Sequence, residues 1–157
     1  ADCAKINSDG NLIVYLNGRT VGIYDIEQER TISTYTSDED VLFVKWIDEE
    51  TVVFVTESYV YHWDVEEREP HRMFKRHESL DCTRIIDYRM ADQVHALIGE
   101  SKNPQSAGRI QQYDQSCRLS YLMEGDVGCF AKFKMESNPH PSTLFVSARR
   151  NAEGGKV

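Results

Sequence analysis

The chain has 157 residues, 40% of them hydrophobic and 10% aromatic, with a formal charge of −8 from 26 acidic and 18 basic residues. This length and apolar content support a packed domain and exclude a disordered tail. The acidic balance argues against nucleic acid, whose phosphates require a basic footprint, and no apolar run approaches the ~20 residues that cross a bilayer.

Taken in chain order, short alternating runs are separated by turn-rich or charged breaks. NLIVYL and TVGIYDI flank Asn17-Gly18, a tight hairpin signal, and RTISTYT follows. The next group is the clearest: VLFVKWI, TVVFVT, YVYHWDV and HRMFKR, broken by Asp48–Glu50, Glu57-Ser58 and Glu66–Pro70. A third group runs TRIIDYR, HALIG, RIQQYD and RLSYLM. A fourth stops after FAKFKM and STLFVSA. Period-two alternation throughout predicts an all-β chain.

An aromatic-Asp pair closes a run three times, at Tyr24-Asp25, Trp63-Asp64 and Tyr113-Asp114, spaced 39 and 50 residues apart. A period of that length with four strands per unit is the pattern of propeller blades. The ring is expected to pack on a neighbouring blade and the carboxylate to bond backbone N–H groups of the turn. The blades are expected at 1–36, 37–80, 81–125 and, in part, 126–157, all within one β-propeller domain of the WD40-like, four-stranded kind. Three blades and a fragment cannot close a ring, so the chain reads as a segment of a larger propeller with apolar end faces.

Reactive chemistry finds little support. Cys3, Cys82, Cys117 and Cys129 form no CxxC pair, which argues against a zinc ribbon or disulfide framework and for buried free thiols in a reducing compartment. The five histidines, His62, His71, His77, His95 and His140, lack metal-binding spacing, so no metal is expected. No GxSxG surrounds Ser79, Ser101 or Ser142. The acidic runs Asp48–Glu50 and Glu66-Glu67 fall in turns, and the innermost strands carry Lys45, Arg84, Asp87 and Lys132 rather than a carboxylate pair. The chain is expected to be no enzyme and to need no cofactor.

A collinear series of stretches carries a family resemblance: Val44–Ile47, Thr51–Trp63, Arg72–Leu80, Ile85–Arg89, Phe130–Asn138, Ser142–Phe145 and the GGK at Gly154–Lys156. In this order they resemble the N-terminal propeller of clathrin heavy chains. The resemblance implies a seven-bladed propeller, of which this chain covers the second blade into the fourth or fifth. It implies a cytoplasmic vesicle-coat protein, at coated pits and coated vesicles, that captures short linear motifs of adaptor and accessory proteins in inter-blade grooves. Clathrin light chain and other heavy chains are implied as partners through a leg region lying outside this chain. Membrane contact is implied only indirectly, through adaptors. A generic propeller scaffold for protein complexes is the alternative.

Residue by residue, the resemblance implies peptide-binding positions at Ile13, Thr20 and Tyr24 in one groove and at Ile86 in a central site. Departures accompany them. Glu29 and Thr31 stand where the family has lysines that meet an acidic motif, and Gly22 stands for a Gln. Arg84 and Glu100 replace a Gln and an apolar residue beside Ile86. A third groove, near Gln112, Cys117 and Tyr121, keeps none of the usual residues. A like charge facing an acidic peptide is repulsive, so a shifted peptide preference is expected.

Overall fold

A computed structural model describes residues 2–150, all β apart from one short 3-10 turn at Glu78–Leu80. The GGK run at Gly154–Lys156 lies outside the described residues. Two compact units are present, Ala1–Arg76 and His77–Val157.

The first unit holds two antiparallel four-stranded meanders. One is β1 (Cys3–Ile6), β2 (Leu12–Asn17), β3 (Thr20–Asp25) and β4 (Arg30–Thr36); the other is β5 (Val41–Trp46), β6 (Thr51–Thr56), β7 (Tyr59–Asp64) and β8 (His71–Lys75). Successive side chains alternate between sheet faces. Val14, Leu16, Val21 and Ile23 therefore leave one face of the first sheet together and pack on Val41, Val44, Val52, Phe54 and Trp63 of the second. Along β6, both faces are buried from Val52 to Thr56, which is why TVVFVT is apolar at consecutive positions.

No alternating run marks β1, whose CAKI is short and largely exposed. Tertiary bonds hold it instead. The Lys5 ammonium donates to the Val44 carbonyl (2.7 Å) and lies 4.9 Å from the Phe43 ring centre, while the Trp46 indole donates to the Lys5 carbonyl (2.8 Å). Asn7 adds a bond from its amide to the Glu49 carbonyl (3.0 Å).

The second unit contains β9 (Thr83–Ala91), β10 (Val94–Ser101), β11 (Arg109–Asp114) and β12 (Leu119–Glu124) in one sheet, then the pair β13 (Val127–Phe133) and β14 (Ser142–Ala148). Phe130 and Phe145 pack with Ile86 and Met123 on Ala96, Ile98 and Ile110. Lys132, Thr143 and Asp92 add a polar tie. The ammonium and the Thr143 hydroxyl each donate to Asp92 Oδ2 at 2.6 Å, holding that carboxyl below its ordinary pKa. The other face of the pair is apolar and exposed at Val127, Phe133, Leu144 and Val146.

Turn chemistry repeats with the sheets. Asp25, Asp64 and Asp114 each accept a backbone N–H through Oδ1 at 2.9 Å, from Gln28, Glu66 and Ser116 respectively. Four residues after the first and third of these, Glu29 (φ 52°) and Arg118 (φ 57°) adopt the left-handed conformation that ends the turn. Gly18, at φ 60°, opens the two-residue hairpin between Asn17 and Thr20.

Three complete four-stranded sheets and a two-stranded partial one make this an all-β chain of propeller blades. One expectation is corrected. The cysteines are free, but Cys82, Cys117 and Cys129 are exposed and only Cys3 is half-buried, because the last three sit in turns or on the uncovered face of β13.

Candidate functional site

The face of the first blade turned away from its core collects three of the four candidate residues. Strand register arranges it in rows. Ile6, Ile13, Tyr24 and Thr31 form one; Ala4, Tyr15, Gly22 and Thr34 the next; Asn17, Thr20 and Thr36 the third. No charged side chain stands in any row. Ile13, Thr20 and Tyr24 are half-buried and Ile6 is 56% exposed. The Thr20 and Thr36 hydroxyls lie 3.0 Å apart.

Tyr15 is a member that sequence reasoning did not pick out. Its ring lies over Gly22: a Cβ placed there would sit 2.1 Å from Tyr15 Cζ. The ring reaches across β3, leaving its hydroxyl 3.3 Å from Thr31 Oγ1. The missing side chain at position 22 makes room for the Tyr15 ring, so these two residues are coupled. A glycine directly opposite a tyrosine was the available signal.

One end of the face is acidic. The β3–β4 turn carries Asp25, Glu27 and Glu29 against Arg30. Arg30 folds back, donating twice to Gln28 Oε1 (2.9 and 2.7 Å), while Gln28 donates to Asp25 Oδ2 (2.9 Å).

The three strand-end aromatics do different things. Trp63 is fully buried in the core of the first unit, with its ring 6.3 Å from Tyr35 and its N–H bonded to the Glu67 carbonyl (3.1 Å). Tyr113 is half-buried beside His95, at 6.0 Å. Tyr24 alone lies on an open face.

Ile86 belongs to the second unit, on β9, half-buried against its core. Two residues earlier on the same strand, Arg84 faces Glu100 of β10 in register and forms a 2.6 Å ion pair with it, so the two charges near Ile86 satisfy one another. Ile86, Val127 and Ala148 line an open cleft of about 360 Å³ with Glu100, Asp126, Arg149 and Arg150 at its edge. Of the third group, Gln112 and Tyr121 are cross-strand partners, with Cys117 and Tyr121 exposed.

Two other polar groups are structural. The Gln115 carbonyl oxygen, 3.3 Å from His95 Nε2, can only accept, so Nε2 carries the proton and the Tyr88 hydroxyl donates to Nδ1 at 2.5 Å. Burial lowers the His95 pKa and raises that of Tyr88. His77 Nδ1 accepts the Ser79 N–H (3.0 Å) and caps the 3-10 turn.

No family model matches the chain. Among curated proteins it is 39% identical to the clathrin heavy chain of Drosophila melanogaster and 38% to human clathrin heavy chain 2, over 161 aligned residues each. It is 36% identical to a probable clathrin heavy chain 1 of Caenorhabditis elegans. Each match spans the whole chain. Along its whole length the chain matches clathrin heavy chains. It covers about 10% of the length of these relatives, and the matched part is the N-terminal, propeller-bearing region of clathrin heavy chains.

Proposed function

We propose that this chain is part of one propeller domain of a vesicle-coat heavy chain, and that the open face of its first blade is one wall of a groove for extended peptide segments of adaptor and accessory proteins. One observation carries this reading: Ile13, Thr20 and Tyr24 stand on a single sheet face, opposite the core, in rows that hold no charged side chain. Ile13 and Tyr24 are direct cross-strand partners, giving an apolar slot for alternate side chains of a bound strand. On this reading the facing wall is a neighbouring blade. Ile86, with its cleft, is a second and separate peptide contact.

On this reading the protein acts without covalent chemistry. Weak single contacts gain strength when many copies engage many motifs in a lattice. Its partners are motif-bearing adaptors, with light chain and further heavy chains joining through the leg, and its place is the cytoplasmic face of coated pits and coated vesicles.

Fluorescence polarisation of a labelled, uncharged apolar peptide with the full-length protein tests the groove. Saturable binding that Tyr24→Ala abolishes supports it. Binding that Tyr24→Ala leaves unchanged removes this face from the function.

A further inference from the structure

We infer that this wall selects an extended peptide whose apolar core is followed by a basic residue. The inference rests on the groove reading above and adds the chemistry of the ligand.

The rows of the face are neutral, so charge selection falls to its ends. At one end the β3–β4 turn holds Asp25, Glu27 and Glu29 against Arg30 alone, a formal −2. Arg30 is drawn onto Gln28 by two hydrogen bonds, and Gln28 is bonded to Asp25, so the one cation in the turn lies within its own network. Glu29 is exposed and held in a left-handed conformation two residues before Thr31, which shares a row with Tyr24. At the other end of the face, Arg19 is committed to Asp40 at 2.7 Å. An acidic residue arriving at the turn would meet like charge, whereas a lysine or arginine would meet opposite charge.

The floor points the same way. Tyr15 occupies the space above Gly22, so a ligand side chain rests on a ring and near two hydroxyls rather than on an amide. An aliphatic stem ending in a cation packs on such a surface with its charge in water.

The test compares two labelled peptides with the same apolar core and either Lys or Glu at the terminal position, using full-length protein and its Glu29→Lys variant. Glu29 is exposed, and Lys keeps the same backbone cost, so the variant retains the fold. At low salt the Lys peptide is expected to bind about fivefold more tightly, the gap narrowing as salt rises. In Glu29→Lys the turn is formally neutral and the preference disappears. Equal affinity of the two peptides for the native protein, or tighter binding of the Glu peptide, overturns the inference. If binding is equal but still lost in Tyr24→Ala, the groove stands and only its charge selection fails. If neither peptide binds, the groove reading falls and this inference with it.

Discussion

Trp63 and Tyr24 occupy corresponding strand ends, and truncating them should have opposite consequences. Trp63 is fully buried, fills the junction of the two sheets in the first unit and makes an edge contact with Tyr35. Replacing a buried Trp by Ala costs about 3–5 kcal/mol through lost transfer energy and a residual cavity. The freed Glu67 carbonyl lies in an exposed turn and rehydrates, so its loss adds little. A value of about 4 kcal/mol follows, which corresponds to roughly a thousandfold faster exchange of amides that open with the sheet. Tyr24 is half-buried on the open face, and Tyr24→Ala should cost on the order of 1 kcal/mol. Hydrogen exchange read by mass spectrometry on peptides spanning residues 12–25 and 51–64 separates the two. Less than a tenfold change in Trp63→Ala would refute the packing argument. So would an equally large effect from Tyr24→Ala.

Other consequences concern the polar groups. His95 is buried and neutral with a lowered pKa, so the unfolded chain takes up a proton that the folded one resists. Its stability contribution is complete above about pH 6.5, the ordinary His value, and is lost as pH falls below it. Denaturation of the native protein at pH 7.5 and 5.5 should show that loss, and His95→Gln should reduce it. Gly22→Ala forces the Tyr15 ring aside and should destabilise by about 1–3 kcal/mol. Adding Tyr15→Leu should restore most of it, and an additive double mutant would contradict the coupling. The Arg84–Glu100 pair is 74% and 32% exposed at its two side chains, so a double-mutant cycle should return less than about 1 kcal/mol.

Blades were legible because alternation is a local signal and each aromatic-Asp turn marks its own strand end. The strand TVVFVT was written in consecutive apolar residues that only a layer covered on both sides would need. The first strand escaped because its stability comes from partners about forty residues away, through Lys5, Asn7 and Trp46. The exposed thiols escaped for a related reason: exposure depends on which face a neighbouring layer covers, and Cys129 sits on a face with no covering layer among the described residues. The site was legible only in part. Ile13, Thr20 and Tyr24 came from family likeness, and register then placed them on one sheet face, Ile13 beside Tyr24 and Thr20 two rows away. Tyr15 needed the register itself, since its meaning lies in the glycine opposite. The Arg84–Glu100 exchange read as two separate losses in sequence, and proved to be one ion pair.

The central claim is that the open face of the first blade receives peptide. Hydrogen exchange of the full-length protein, with and without a saturating apolar-basic peptide, locates that contact without presupposing it. Protection that includes residues 12–25, and is strongest there near Tyr24, is the expected result, because a bound strand shields that face. Protection that leaves this segment unchanged and appears only around residues 84–100 would contradict the account.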